Sequence, residues 1–243
     1  MSRRRDVAAA RGAVPDVVVR RLVLYLRILQ EIDAKDRPYI SSKELGELAG
    51  ISPPQVRKDL AVFGEFGKQG VGYDIDYLRE ELRDILHVNR AINIVLVGAG
   101  DLGVAISRYN LRRFARERTY PFRLVAIFDN DPAKIGRRVE NKVEIRPVEE
   151  LGQVAAETQA AMAIITVPAS AAQTVADTIV RAGIKAILNF APVKLKVPPD
   201  VRLHYSDVAL EMEQLAFYLP QKATQAVVLP PGTAAGGEGE GTA

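Results

Sequence analysis

The hydrophobic positions change rhythm once along the chain, near residue 90. Before that point they recur at helical spacing: Val18, Leu22, Tyr25, Leu26 and Leu29 fall every three or four residues and would line one face of a helix. Pro15 suits the first turn of that helix, where its missing N–H is not needed. Ser41 followed by Glu44 has the spacing of a capping box, so a second helix is expected there, burying Leu45 and Leu48 and stopping at Gly50. Ser52 marks a third start, with Pro53 and Pro54 in the first turn and Gln55 closing a second capping box. Only Ile51 lies between Gly50 and Ser52, and two short helices joined so tightly form a helix-turn-helix.

After residue 90 the pattern alternates. Ile92 to Val97, Leu124 to Phe128, Ala161 to Val167 and Ala186 to Phe190 are short runs of aliphatic and β-branched residues bounded by Gly, Pro or Asp. A last strand is expected around Leu203 to Tyr205. Helical stretches lie between these runs, notably Ala169 to Ala182 with Gly183 just past its end. Such alternation predicts a parallel sheet covered on both faces. The fold class expected is therefore α/β, an N-terminal winged helix-turn-helix domain followed by a Rossmann doubly wound domain. The division falls at His87-Val88-Asn89-Arg90, which gives domains over 15–89 and 90–206 and a final helix over 207–221. Residues 1–14, rich in Arg and Ala, and 222–243, rich in Pro, Gly and Glu, have no apolar face to bury and are expected to be disordered.

In the third helix Val56, Leu60 and Phe63 fall on one side, leaving Gln55, Arg57, Lys58 and Ala61 outside. Long polar side chains near the start of a helix, beginning at Ser52, are what a helix needs to reach base edges in a major groove. The stretch Gly64 to Tyr73 then holds four glycines with apolar residues between them, a tight hairpin with Lys68 and Gln69 at its tip. Helix-turn-helix plus hairpin reads as a winged helix that binds double-stranded DNA. A small helical domain with a solvated charged face would show much the same pattern. Charge helps a little: residues 1–73 carry 13 Lys/Arg against 9 Asp/Glu, whereas the whole chain is only +3.

Gly98-Ala99-Gly100-Asp101-Leu102-Gly103 is a G-x-G-x-x-G motif that follows a strand and opens a helix, with Leu102, Ala105 and Ile106 expected to face inward. The first glycine permits a tight turn, the second lets backbone approach a pyrophosphate and the third allows close packing of helix on strand. Asp129 ends the second strand, 26 residues past Gly103, where a carboxylate can accept from ribose hydroxyls and repel a 2′-phosphate. NAD+ and NADH are thus expected over their phosphorylated forms. A glycine turn with no ligand, and hence a structural DNA-binding protein with an empty Rossmann domain, also fits the spacing.

Other classes recede on composition. The chain of 243 residues has no cysteine, which removes disulfides, thiolate catalysis and Cys-based zinc sites, and its two histidines, His87 and His204, lie far apart. No metal is expected. No apolar run approaches the roughly 20 residues of a membrane span, and no signal peptide is visible, so a soluble, cytoplasmic protein is expected. After the last strand only one helix remains, too little for a substrate domain, so the dinucleotide is expected to act as a signal and the chain not to be an enzyme.

These motifs together resemble the Rex family of redox-sensing transcriptional repressors. The resemblance spans about residues 16–221 and is carried by Arg21-Leu22, Tyr25 to Leu29, Gln55 to Leu60, Phe63-Gly64, Gly70 to Tyr73 and the glycine motif. It continues through Phe128-Asp129-Asn130-Asp131-Pro132, Thr166-Val167-Pro168 and Asn189-Phe190-Ala191-Pro192. It implies that Asn130, Thr166, Val167, Pro168, Asn189, Phe190 and Tyr109 join the glycine motif and Asp129 around the cofactor. It implies a homodimer exchanging the helix from Asp207 to Leu219, bound to a palindromic operator with NAD+ and released by NADH. Arg27, Tyr109 and Asp207 would form the switch, the acid changing partner between arginine and tyrosine. A second resemblance, through Gly98 to Gly103 and then Asp129-x-Asp131-Pro132-x-Lys134-x-Gly136, is to the CoA-binding domain of acyl-CoA synthetases, which would make the chain a nucleotide-binding subunit of an enzyme.

Overall fold

A computed structural model describes residues 14–220; the termini expected to be disordered lie outside the described residues, apart from Val14. Helix α1 (Asp16–Glu31) buries the five residues that the periodicity picks out, with Pro15 one place earlier than expected, as its N-cap. A two-residue strand, β1 (Tyr39–Ile40), leads into α2 (Ser42–Ala49), which starts on the predicted capping box: the Glu44 N–H donates to Ser41 Oγ at 3.1 Å and the Ser41 N–H to Glu44 Oε2 at 2.9 Å. Leu45 is buried, but Leu48 is exposed, because α2 is only eight residues long and turns that side to solvent.

Helix α3 (Pro53–Ala61) follows across the tight turn, and α2 passes close over that turn. A Cβ on Gly46 would stand 2.4 Å from the Ile51 carbonyl oxygen, so the helix-turn-helix closes only around a residue without a side chain. Strands β2 (Gly67–Lys68) and β3 (Gly72–Asp74) pair antiparallel, Lys68 opposite Gly72, and β3 also pairs with β1. The wing is thus a three-stranded sheet whose third strand comes from ahead of α2. Helix α4 (Ile75–Ile85), which sequence pattern left unassigned, buries Ile75, Leu78 and Leu82 into the same cluster as Leu22, Tyr25 and Val56.

The second half builds its own clusters on a seven-stranded sheet. In chain order the elements are β4 (Ile92–Val97), α5 (Asp101–Arg116), β5 (Phe122–Asp129), β6 (Arg138–Val139) and β7 (Val143–Pro147). Then come α6 (Leu151–Thr158), β8 (Met162–Ile165), α7 (Ala169–Arg181), β9 (Ala186–Asn189) and β10 (Arg202–Tyr205). The spatial order is β10-β9-β8-β4-β5-β7-β6, with β6 antiparallel to β7 at the edge. The chain runs outward from β4 in one direction and then in the other, the doubly wound arrangement, so the reversal point lies between β4 and β8. The expected strands are all present within a few residues; the β6–β7 hairpin and α6 add to them.

Among the described residues, 205–220 form a separate unit. Its helix α8 (Val208–Ala216) is capped by Asp207, whose Oδ1 accepts from the Ala209 N–H at 2.9 Å and the Leu210 N–H at 3.3 Å. Val208, Leu210, Met212 and Leu215 are all exposed, and Phe217 beyond them is 84% exposed. Among the described residues no helix is long and apolar enough to cross a membrane.

Replacing Gly46 by Ala forces a methyl group against the Ile51 carbonyl. The DNA-binding half is expected to lose about 1–3 kcal/mol, read as an earlier transition in chemical unfolding, with the Rossmann half unchanged.

Candidate nucleic-acid and nucleotide sites

Val56 and Leu60 face inward from α3 as predicted, with Phe63 half-buried behind them. Arg57 and Lys58 face out. Arg57 is braced by a 2.9 Å hydrogen bond to Ser42 Oγ on α2, and it lines one wall of a groove of about 600 Å³ whose other wall is the wing from Gly64 to Tyr73. Lys68 and Gln69 stand exposed at the wing tip. Two expectations change. Ser52 caps α3 by backbone position only, and its side chain makes no capping bond. Gln55 closes no box because its amide turns inward and donates to Asp59 Oδ1 at 2.6 Å. Asp59, passed over in the sequence, is the reason. Its carboxylate is buried and also accepts from Arg21 and Tyr25. Burial alone would raise its pKa, but the bonds from Arg21, Gln55 and Tyr25 outweigh it and hold the group below its ordinary range. The Tyr25 hydroxyl, buried against the same anion, is pushed the other way, above its usual value.

In the Rossmann half the glycine motif occupies the crevice at the reversal point. Gly98 has φ +105°, and a Cβ there would lie 2.7 Å from the Thr166 carbonyl oxygen; one on Gly103 would lie 1.9 Å from the Gly98 oxygen. A Cβ on Gly100, by contrast, meets nothing within 4 Å. Space is therefore kept free at one glycine and filled by backbone at the other two. Gly100 is the N-cap of α5, so the first N–H groups of that helix open into the free space, the arrangement that receives phosphate. The inward face of α5 is Gly103, Ser107, Asn110 and Leu111; Leu102 and Ala105, expected inside, are exposed because Gly103 sets the rotation.

Asp129, at the carboxyl end of β5, is buried and already well supplied with donors. Its Oδ2 accepts from the Ala99 N–H at 2.6 Å and from Lys134 Nζ at 3.2 Å, and its Oδ1 from the Asp131 N–H at 2.9 Å. Burial works against the charge, but these donors keep the carboxylate below its ordinary range. Asn130 is exposed beside it. Across the crevice the Thr166 hydroxyl donates to the carbonyls of Val97 and Gly98, so it pins the glycine loop. Val167 is half-buried, and Pro168 caps α7. Asn189 has a different task from the one expected. Buried at the end of β9, its amide donates to the carbonyls of Ala191 and Val193 and its oxygen accepts from the Ala191 N–H, so the side chain is spent on its own loop. Phe190, half-buried next to it, remains as a wall.

The three switch candidates all have exposed side chains. Arg27 has no hydrogen bond or ion pair among the described residues. The Tyr109 hydroxyl accepts from Arg113 Nη1 at 2.8 Å, and that guanidinium lies over the Tyr120 ring, 4.6 Å from its centre, and pairs with Glu117. Asp207 uses one carboxylate oxygen to cap α8. No group of three or more His, Cys, Asp and Glu among the described residues is placed to hold a metal.

Two family models match the chain, "Putative DNA-binding protein N-terminus" over residues 13–61 and "CoA binding domain" over residues 89–193. The chain is 47% identical to the "Redox-sensing transcriptional repressor Rex" of Brevibacillus brevis over 206 residues, 85% of this chain and 97% of that one. Among solved structures it is similar to RSP, described as a Rex-family repressor. The complex of RSP with NAD+ and operator DNA matches with TM-score 0.78 at 38% identity, over 86% of this chain and 94% of that one. The complex with NADH matches with TM-score 0.74 at 36% identity, over 86% and 96%.

Acid should act on the DNA-binding half through Asp59. Its folded pKa lies below the ordinary 3.8, so its contribution is complete above that value and is lost as pH falls through the folded one. The expected result is a thermal midpoint that the titration of Asp59 leaves unchanged between about pH 5 and 8 and that falls in stronger acid. In Asp59→Asn the midpoint at neutral pH is lower and the acid fall shallower.

Proposed function

The chain belongs to the Rex family of redox-sensing transcriptional repressors, and from that premise we propose that it holds a palindromic operator with NAD+ bound and leaves it when NADH binds. The observation that carries this reading is the pairing of two sites in one chain: a winged helix with outward Arg57, Lys58 and Lys68, and a glycine loop with free space at Gly100 beside a buried Asp129. In this reading Arg57 and Lys58 enter the major groove, while Lys68 and Gln69 on the wing hold the flanking backbone. Residues 15–89 form the DNA-binding domain and 90–206 the nucleotide-binding domain.

The residues fit a dinucleotide. The N–H groups at the start of α5 meet the pyrophosphate, and Asp129 meets the adenine ribose. A carboxylate offers about four acceptor positions, and Ala99, Asp131 and Lys134 occupy three of them. Two ribose hydroxyls can therefore bind Asp129 only if Lys134, the partly exposed member of the three, moves aside. When bound, the cofactor supplies a nicotinamide that is positively charged in NAD+ and neutral in NADH. Val167, Pro168 and Phe190 offer that ring an apolar neighbourhood, which disfavours an unpaired charge. Such differential affinity is what a ligand needs to move a conformational equilibrium.

The bare apolar face of α8 supports a homodimer in which this helix packs on the partner. Asp207 of one protomer then pairs with Arg27 in the DNA-bound state and with Tyr109 in the NADH state. Arg113 already donates to the Tyr109 oxygen, which leaves the hydroxyl proton free to meet a carboxylate. In this reading the protein is cytoplasmic, acts as a signal reader and catalyses no reaction. The CoA-binding match covers the same glycine loop, but the relative that matches 85% of this chain is a repressor.

Asp129→Asn keeps the side chain's shape but only one of its two backbone N–H contacts, because its single amide oxygen can replace Oδ1 or Oδ2 and not both. It is expected to weaken NADH binding by about tenfold or more, the worth of a charged hydrogen bond, and to narrow the preference over NADPH, because Lys134 is then free to meet a 2′-phosphate. Direct titration by nucleotide fluorescence reads both; an unchanged preference means that Asp129 serves the loop alone. For the switch, NADH titrated against excess NAD+ should release the full-length protein from a palindromic duplex, and CoA should not. Tyr109→Phe should keep DNA affinity and need more NADH for release; release at the wild-type concentration removes the tyrosine from the mechanism.

A further inference from the structure

Helix α3 must present Arg57 and Lys58 at one rotation about its own axis, yet its apolar anchors are few. Val56 and Leu60 are its buried hydrophobic side chains. Apolar burial is non-directional and by itself allows a short helix to roll. Direction comes from Asp59, 1% exposed. Its carboxylate accepts from Arg21 Nε at 2.5 Å and Nη2 at 2.7 Å, from the Tyr25 hydroxyl at 2.9 Å and from Gln55 Nε2 at 2.6 Å. Arg21 and Tyr25 stand one turn apart on α1, so a single anion ties two helices at one point and uses all of its acceptor positions. The arginine contact is two-pronged and planar, and so constrains angle as well as distance.

We propose that Asp59 is a positioning residue for operator recognition: its ties to Arg21 and Tyr25 set the roll of α3 on α1, and thereby the aim of Arg57 and Lys58. A roll of about 20° moves a side chain roughly 6 Å from the helix axis by about 2 Å. That far exceeds the few tenths of an ångström separating a good base contact from a lost one. A buried ion pair adds little net stability but can select one arrangement among several of similar energy, and the task here is selection. Gln55, whose amide is held by the same carboxylate, belongs to this brace.

The role separates two quantities that a purely structural role would move together. Non-specific binding depends on phosphate charge and survives a small roll; base readout does not. The test uses the full-length protein, a palindromic duplex selected by the wild-type chain from random-sequence DNA, and a scrambled duplex of equal length at the same salt. Fluorescence anisotropy gives both affinities, circular dichroism monitors the fold, and NADH titration monitors the other domain. Asp59→Asn should lose about tenfold or more on the selected duplex, the scale of one lost base contact. It should stay within about twofold on the scrambled one, where phosphate charge is unchanged, and bind NADH normally. Arg21→Lys keeps the charge without the two-pronged contact, and should lower the ratio of selected to scrambled affinity with the fold intact. Should Asp59→Asn fail to fold, Arg21→Lys carries the test. A folded Asp59→Asn, or Arg21→Lys, that keeps the wild-type ratio overturns the proposal, as does an equal loss on both duplexes.

Discussion

Helix α5 reaches the sheet because Gly103 has no side chain where the Gly98 carbonyl presses against it. That contact sets the helix's distance and its rotation together. With Gly103 inward, the same face must carry Ser107, Asn110 and Leu111, and two polar side chains go into the interior although Leu102 and Ala105 stand nearby. Ser107 Oγ and Asn110 Oδ1 find no hydrogen-bond partner there, a cost that a free choice of face would have avoided. The opposite face follows as directly. Tyr109 is turned to solvent, its hydroxyl steadied by Arg113 from one turn later. The start of the helix is aimed at the crevice, so the free space at Gly100 and the exposure of Tyr109 share one origin in a backbone contact.

The DNA-binding half is organised on another principle. Its core is an apolar cluster that would tolerate small rotations, and a charge network inside it removes that freedom. The distribution makes physical sense. A Rossmann half has a seven-stranded sheet, whose ladder of hydrogen bonds fixes each strand's register. The smaller half has such a ladder only in its short wing strands, and its helices must take their direction from side chains.

Much of this was legible in the sequence, for reasons that differ by element. Strand β4 is legible to the residue because a strand buried on both faces is written as a nearly continuous apolar run, broken here only by Asn93. The capping box at Ser41 is legible because it is local, with both partners within one turn. The box expected at Ser52 has the same spelling and does not form, since Gln55 finds a buried anion that belongs to the tertiary fold. Asp59 itself is invisible to pattern reading: a lone acid on an amphipathic helix looks like a solvent-facing one until Arg21 and Tyr25, more than thirty residues earlier in the chain, are placed against it. Asn189 fails in the converse way. The resemblance implies that it stands near the cofactor, and only the fold brings its polar atoms back onto its own loop.

The glycines at 98, 100 and 103 carry unequal evolutionary risk. At the outer two, a side chain collides with backbone and jeopardises the domain itself, so such changes would be purged as misfolded protein. At Gly100 there is room, and an alanine there disturbs nothing within the chain. It would sit only in the free space where, in the proposed reading, a phosphate approaches. A lineage could therefore lose its sense of the cell's redox state through one silent-looking change and keep a sound fold and an intact DNA-binding half. Its regulated genes would then no longer follow the nucleotide pool, a failure that surveys of expression level or thermal stability would pass as healthy.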